Sequence, residues 1–176
     1  MRRIARYTAV ALILGLALVL TLAFRREPQD IRTGTVGRPA PAFTLPDLSG
    51  TGSISLAQYT GKVVVLNFWA SWCVACKEEN PALAAVWERY RGTDVVLLGI
   101  DFQDSTDAAR EYTARLGNTW PSAVDESGQV ALSYGVFGPP ETYFIGTDGV
   151  IAGRHIGPID APTLINGIEA LRRAKP

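Results

Sequence analysis

The chain has 176 residues, of which 17 are basic and 17 are acidic, so its formal net charge is zero. Proteins that bind nucleic acid usually carry a basic face, and a neutral chain gives no sign of one. Its two cysteines lie three positions apart and cannot link distant segments, so the chain must fold by burying apolar surface. These features argue against a nucleic-acid-binding protein and against a disulfide-rich scaffold.

The first element in chain order is an apolar block without charge, from residue 7 to residue 24. As a helix it spans about 27 Å, close to the thickness of a bilayer core. Arginines precede the block, so residues 1–26 are predicted to form an uncleaved single-pass anchor in the lipid bilayer of the cytoplasmic membrane, with the following domain on the extracytoplasmic (periplasmic) side. A cleaved signal sequence is the alternative, although the apolar run is long for one.

The segment after the anchor changes in composition. Residues 27–41 are rich in Arg, Gly, Thr and Pro, which predicts a linker. A folded domain is then expected from residue 42 to residue 176, starting with two short strands near residues 42–48 and 54–56. Pro46 restricts the first of these strands to a sheet edge, because proline cannot donate a hydrogen bond within a sheet.

The rest of the domain alternates between apolar patterns of strands and of helices. We expect strands at residues 62–69, 95–102, 142–145 and 150–156, and helices from Cys73 to Gly92 with Pro81 inside, from Asp104 or Ser105 to Gly117, at residues 129–134, and from Asp160 onward. The last two strands form a hairpin through the turn at residues 147–149. This order predicts an α/β fold with a mixed central sheet and helices on both faces.

The cysteines form a Cys-x-x-Cys motif where a predicted strand meets a predicted helix. Backbone N–H groups and the helix dipole at such a position stabilise a thiolate on Cys73, which is the form that attacks a disulfide. Cys76 lies about one helical turn further on the same face, so it can displace a substrate from a mixed disulfide. The motif predicts a redox-active dithiol that works without a cofactor.

Metal binding is the competing interpretation of the motif. A zinc site needs four ligands, and His155 is the only histidine in the chain, so we expect no zinc. Copper(I) prefers soft thiolates, and a copper chaperone that uses Cys73, Cys76 and His155 is therefore an alternative hypothesis. The default expectation for His155 is a structural or surface role.

Two blocks of the sequence resemble the thioredoxin superfamily. The first is Asn67-Phe68-Trp69-Ala70-Ser71-Trp72-Cys73-Val74-Ala75-Cys76-Lys77-Glu78-Glu79-Asn80-Pro81, which is similar to the active-site block of that superfamily. The second is Gly135-Val136-Phe137-Gly138-Pro139-Pro140-Glu141-Thr142, which is similar to the G-V-x-G-x-P-E-T segment of the thioredoxin-like proteins of cytochrome c biogenesis. The resemblance covers residues 36–172 and is to the exported, membrane-anchored TlpA/ResA/CcmG (DsbE)-like branch.

This resemblance implies a thioredoxin-like fold and a protein thiol–disulfide oxidoreductase with Cys73 and Cys76 as catalytic residues. It also implies that Pro140 is a cis proline that faces the dithiol, where the backbone before it can pair with an extended substrate. Position 139 is itself a proline, so Pro139 offers the substrate a carbonyl but no N–H.

Aromatic residues near the two blocks are candidates for substrate binding. Trp72 and Phe137 are expected to form an apolar platform beside the dithiol. Trp69 fits a role in the core at least as well.

Two carboxylates are candidates for moving the proton of the resolving thiol. Thioredoxin has a buried Asp where this chain has Asn67, and an amide cannot take up a proton. The resemblance places Glu79 and Glu141 near the dithiol, and a carboxylate in an apolar groove can carry protons near neutral pH. A solvated charge on the helix surface is the alternative for Glu79.

The function implied by the resemblance is that of a reductant outside the cytoplasm. Its expected substrates are the cysteine pairs of apocytochrome c or of a carrier protein, and a dithiol donor in the membrane would supply electrons. A TlpA-like reductant for copper-site assembly or general disulfide repair is an alternative. A peroxiredoxin is another, although it usually has a Thr three residues before its cysteine, where Ala70 stands.

Overall fold

The computed structural model describes Gly15 and residues 35–174. Within this part of the chain the strands are β1 (Thr44–Pro46), β2 (Ser53–Ser55), β3 (Val63–Trp69), β4 (Val95–Phe102), β5 (Ser122–Asp125), β6 (Glu141–Ile145) and β7 (Ile151–Ile156). The helices are α1 (Val74–Tyr90), α2 (Thr106–Leu116), α3 (Gln129–Tyr134) and α4 (Ala161–Arg173), with a 3-10 turn at Leu56–Tyr59.

The predicted anchor lies outside the described residues, apart from Gly15. In the part of the chain that the structure describes, no helix combines the length and the apolar character needed to cross a membrane.

Five strands form one sheet in the order β5-β4-β3-β6-β7. Strands β3, β4 and β5 run parallel, whereas β6 pairs antiparallel with both β3 and β7, so the predicted mixed sheet is confirmed. Strand β3 is central, and all seven of its residues are buried, which explains why its sequence is continuously apolar rather than alternating.

The two faces of the sheet are covered by different elements. Val63 and Val65 belong to a buried cluster with residues of α1 and α4, whereas Leu66 and Phe68 belong to a cluster with Tyr134 of α3. The side chains of a strand alternate between the two faces, so β3 supplies both clusters. The expectation of helices on both faces of the sheet is therefore confirmed.

The residues predicted to begin and end the helices do so with one exception: α1 ends at Tyr90, before the predicted stop at Gly92. Cys73 is the N-cap of α1, and Pro81 lies inside that helix. Ser105 caps α2 through a hydrogen bond from the backbone N–H of Ala108, and Gly117 ends the helix with a φ of 69°. Glycine adopts this left-handed conformation without the steric penalty that other residues incur, which is why it stops the helix here.

Strand β5 is absent from the predicted order, which passes from one helix directly to the next at this point. All four of its residues are buried. The strand pairs with β4 on one side, and Ala123 forms a bridge with Asp47 on the other. A four-residue strand is too short to give a periodic signal, and its burial depends on partners that are distant in sequence.

Residues 37–40 pack against the domain although they belong to the predicted linker. The backbone N–H of Gly37 donates to the carbonyl of Ile151 at 2.8 Å, and that of Ala40 donates to Gly149 at 2.9 Å. These bonds extend the sheet along the start of β7.

Candidate active site

The two cysteines lie at the junction of β3 and α1. They form a disulfide with Cα atoms 5.3 Å apart, which confirms that Cys73 and Cys76 pair with each other. The Sγ of Cys73 accepts a hydrogen bond of 3.1 Å from the backbone N–H of Cys76. Because this N–H belongs to the positive end of α1, the same contact can stabilise a thiolate at Cys73 once the disulfide is reduced.

The disulfide is recessed between exposed apolar neighbours. Cys73 is 6% exposed and Cys76 is 2% exposed, so both cysteines lie below the surface. The residues on either side of Cys73 in the chain, Trp72 and Val74, are 55% and 75% exposed. Large apolar side chains at this exposure are available for contact with another molecule.

The two tryptophans that precede the dithiol have different surroundings. The indole N–H of the exposed Trp72 donates to the carbonyl of Gln103 at 3.3 Å. Among the described residues, Gln103 is the one non-glycine residue with a positive φ, 47°, and such backbone strain is often found at functional sites. Trp69 is buried and stacks on Tyr112 with ring centroids 5.2 Å apart, so it has the core role that the sequence allowed.

The loop of residues 135–140 lies at the same end of the sheet as the dithiol. It leads into β6, and the antiparallel register pairs Glu141 with Phe68, one residue before the end of β3. The peptide between Pro139 and Pro140 is cis, as the resemblance implies. Pro140 is buried and Pro139 partly buried.

Phe137, at the tip of this loop, is 84% exposed. Its exposure agrees with a surface platform and excludes a role in the core.

Glu79 is buried behind the dithiol rather than solvated on the helix surface. Its Oε1 accepts a hydrogen bond from Asn67 Nδ2 at 2.8 Å, and its Oε2 accepts one from the backbone N–H of Ile159 at 3.1 Å. Burial raises the pKa of Glu79 to about 7, although both hydrogen bonds act to lower it. A carboxyl group with such a pKa can both accept and release a proton near neutral pH.

A small internal cavity of about 10 Å³ is lined by Cys76 and Glu79. The cavity is also lined by four residues that each have a buried polar atom without a hydrogen-bond partner among the described residues. These atoms are Asn67 Oδ1, Trp69 Nε1, Tyr112 Oη and Asn118 Oδ1. The side of α1 that carries the resolving cysteine therefore faces a polar space, as a proton path from Cys76 to Glu79 requires.

Glu141 is equally buried but lies on the other face of the sheet. Asn67, which binds Glu79, also donates from Nδ2 to Thr142 Oγ1 at 3.1 Å, so Thr142 lies on the same face of the sheet as Asn67. The preceding residue, Glu141, points to the opposite face and forms an ion pair with Arg154. The structure thus brings Glu79, but not Glu141, to the cavity behind the dithiol.

Sequence reasoning missed the buried charges of Arg154 and Asp101. Arg154 could have been found from the predicted hairpin, whose register brings it close to Glu141. Asp101 could have been noticed as a charge within an apolar strand, and neither of its carboxylate oxygens has a hydrogen-bond partner among the described residues. Burial, and secondly the nearby Asp104, raises the pKa of Asp101 to about 8.

His155 lies in β7, where its Nε2 is 3.2 Å from the carbonyl oxygen of Pro158. Within residues 35–174, no three or more His, Cys, Asp or Glu side chains are grouped so that they could hold a metal ion. The copper hypothesis predicts tight Cu(I) binding that is lost in His155→Ala.

A five-stranded mixed sheet, a Cys-x-x-Cys disulfide at the start of a helix and a cis-proline loop at the same sheet end define a class of protein. The class is that of thiol–disulfide oxidoreductases with a thioredoxin-like fold. A model of the AhpC/TSA family matches residues 36–154, and the chain belongs to this family.

Relatives agree with this class. The chain is 35% identical to the thiol:disulfide interchange protein DsbE of Pseudomonas fluorescens biotype C over 161 residues, which cover 91% of this chain and 88% of the relative. It is 31% identical to DsbE of Escherichia coli strain K12 over 157 residues, with 86% and 83% covered.

Solved structures share the fold. A Chlorobium tepidum structure assigned as a thiol:disulfide interchange protein DsbE superposes with a TM-score of 0.71 at 31% identity, covering 77% of this chain and 96% of that one. A DsbF homologue from Corynebacterium diphtheriae gives a TM-score of 0.69 at 31% identity, with 76% and 86% covered. The chain is therefore an enzyme that exchanges dithiols and disulfides.

Proposed function

We propose that this chain is a membrane-anchored reductant that acts outside the cytoplasm on the cysteine pairs of apocytochrome c or of their carrier. The observation that carries the proposal is the recessed Cys73–Cys76 disulfide at the start of α1, at the same sheet end as the loop of residues 135–140. The similarity of that loop to cytochrome c biogenesis proteins supports the substrate class. The name DsbE of the relatives agrees with this branch.

The reaction begins with the reduced pair. The Cys73 thiolate attacks one sulfur of the substrate disulfide, so a bond forms between Cys73 Sγ and that sulfur while the substrate S–S bond breaks and releases one thiolate. The N-terminus of α1 favours the attacking thiolate. The exposed rings of Trp72 and Phe137 offer apolar contacts to the substrate chain around its cysteines.

The second step resolves the mixed disulfide. Cys76 gives its proton to Glu79, and its thiolate then attacks Cys73 Sγ, which releases the second substrate thiolate and forms the Cys73–Cys76 disulfide. Two electrons pass to the substrate, so an external dithiol must reduce the enzyme before the next cycle. We assign this role to a dithiol protein of the membrane, because an exported domain works in oxidising surroundings.

The midpoint potential of the Cys73–Cys76 couple tests the direction of this reaction. We expect a value near or below about −220 mV, measured by thiol trapping in defined redox buffers. A value near about −120 mV would instead indicate a protein that forms disulfides in exported chains. Cys76→Ser, which cannot form the intramolecular disulfide, is the control and should lack the transition.

The substrate class needs a separate measurement. The reduced enzyme should reduce an oxidised Cys-x-x-Cys-His peptide, the sequence of a c-type haem attachment site, faster than the same peptide without its His. Equal rates would favour a general reductase. Turnover of hydrogen peroxide would favour the peroxiredoxin alternative.

A further inference from the structure

A buried ion pair lies outside the cavity behind the dithiol. The side chains of Glu141 and Arg154 are 1% and 4% exposed, and Arg154 Nε donates to Glu141 Oε2 at 2.8 Å. The hydroxyl oxygen of Tyr143 lies 3.3 Å from the same carboxylate oxygen. Removing two charges from water is costly, so a buried pair of this kind is weak evidence for stability and raises the question of what it holds in place.

The pair and Tyr143 bind the backbone of the loop that precedes β6. Arg154 Nη2 donates to the carbonyl of Gly135 at 2.9 Å. The backbone N–H of Phe137 donates to Glu141 Oε1 at 2.9 Å, and the hydroxyl of Tyr143 donates to the carbonyl of Tyr134 at 2.9 Å. The buried cluster of Glu141, Tyr143 and Arg154 therefore binds three backbone groups, which belong to residues 134, 135 and 137.

The same arginine also supports the exposed ring of that loop. The Arg154 Cζ atom lies 5.9 Å from the ring centroid of Phe137 and 5.4 Å from that of Tyr143. A cation at this distance attracts an aromatic ring. Phe137 thus has one side held by a buried guanidinium while 84% of the residue remains open to solvent.

A binding surface that is already ordered loses less conformational entropy when it binds its partner. We propose that Arg154, through Glu141, is a positioning residue that holds the loop of residues 135–140 and Phe137 in the conformation that binds polypeptide substrates. Its contribution is to substrate binding, and the sulfur chemistry at Cys73 does not depend on it. The proposal rests on the reduction of protein disulfides set out above.

The test compares a polypeptide with a small disulfide. For Arg154→Met we expect KM for insulin disulfides and for the oxidised Cys-x-x-Cys-His peptide to rise about tenfold with kcat nearly unchanged. The rate with dithiobis-nitrobenzoate, a small aromatic disulfide, should change less than twofold, and its pH profile should not move. Arg154→Lys should recover part of the loss, since it restores the charge but not the planar fork of donors.

A matched control is Arg172→Met, which removes an arginine of α4 that is paired with Asp94 and with Glu169. This substitution should leave all KM values unchanged. If Arg154→Met does not fold, Tyr143→Phe removes only the hydroxyl that reaches Tyr134 and Glu141, and it should raise the same KM values by a smaller factor.

Two outcomes would overturn the proposal. One is an equal loss with insulin and with the small disulfide, accompanied by a shifted pH profile, which would instead indicate that Glu141 carries protons. The other is an unchanged KM for insulin in a folded variant. Failure of the proposed cytochrome function would give a different result, because the wild-type enzyme would then reduce insulin but show no preference for the haem-site peptide. In that case the KM values of wild type and Arg154→Met for insulin would still decide the role of Arg154.

Discussion

Glu79 carries the clearest chemical prediction at the scale of a single residue. Its pKa of about 7 suits a group that takes the proton of Cys76, and Gln keeps the shape without the ability to ionise. For Glu79→Gln we expect the step that resolves the mixed disulfide to slow at least about tenfold at pH 7. A plot of the rate of this resolving step against pH should lose the inflection near pH 7 that the wild-type enzyme shows. Stopped-flow tryptophan fluorescence during oxidation measures both.

Glu78 provides the control for this prediction. It precedes Glu79 in the chain and is exposed, so Glu78→Gln also removes a carboxylate from the start of α1 but does not touch the cavity. The same rate loss in both variants would mean that the charge of the helix, and not a proton acceptor behind Cys76, governs the resolving step.

Asp101 leads to a prediction about stability. Its pKa is raised from 3.8 to about 8, so between these values the folded protein keeps a proton that the unfolded chain has lost. The free energy of unfolding should therefore fall with rising pH in this window, by up to about 1.4 kcal/mol per pH unit. Asp101→Asn removes this contribution, and its stability relative to wild type should increase from pH 5 to pH 8.

Urea unfolding at each pH measures this difference. Glu79 adds a decline of the same sign up to about pH 7, but it is present in both proteins and cancels in the comparison. Glu126→Gln, at an exposed position, should run parallel to wild type. A constant offset between Asp101→Asn and wild type would contradict the prediction.

The sequence identified residues whose role depends on local chemistry. Cys73 and Cys76 are recognisable from their spacing alone, and Trp72 from its place beside them. The difference between Glu79 and Glu141 could not be read in this way, because it depends on which face of the sheet each side chain occupies. Arg154 was missed because its importance arises only when β6 and β7 pair, and the predicted hairpin was the signal that could have indicated this pairing.

At the scale of elements, α4 packs against the sheet through a glycine. A Cβ added at Gly167 would lie 2.5 Å from the nearest ring atom of Phe144, in β6. This overlap should outweigh the roughly 1 kcal/mol by which Ala is favoured over Gly in a helix. For Gly167→Ala we expect a net loss of about 1–2 kcal/mol in the free energy of unfolding, measured in urea.

The matched control changes another glycine beside the same ring. A Cβ at Gly153 in β7 would lie 3.7 Å from Phe144, which is ordinary contact, so Gly153→Ala should stay within about 0.5 kcal/mol of wild type. Equal losses in both variants would mean that the ring tolerates neither change and that the close packing of α4 is not the cause.

Elements with strong patterns of their own were predicted well. Strand β4 has the predicted bounds, and α2 is capped by Ser105 and stopped by Gly117 as expected, because apolar runs, caps and glycines act locally. Strand β5 was missed because a strand of four residues is too short to show an apolar periodicity, and its sequence does not indicate which strand it pairs with. Residues 37–40 resemble a linker in composition, yet their hydrogen bonds to the start of β7 depend on a strand more than 100 positions away.

At the scale of the whole molecule, the proposed role of the apolar block at residues 7–24 is to tether the domain and nothing more. The described residues 35–174 belong to one compact unit, and every residue of the candidate site lies within it. We expect the chain without residues 1–30 to be soluble without detergent and to reduce dithiobis-nitrobenzoate as fast as the full chain, because the block contributes no group to the chemistry. Sedimentation after expression and the rate of that reaction check both points. A truncated chain that aggregates, or that folds but reacts slowly, would mean that the N-terminal segment does more than the anchoring proposed for it.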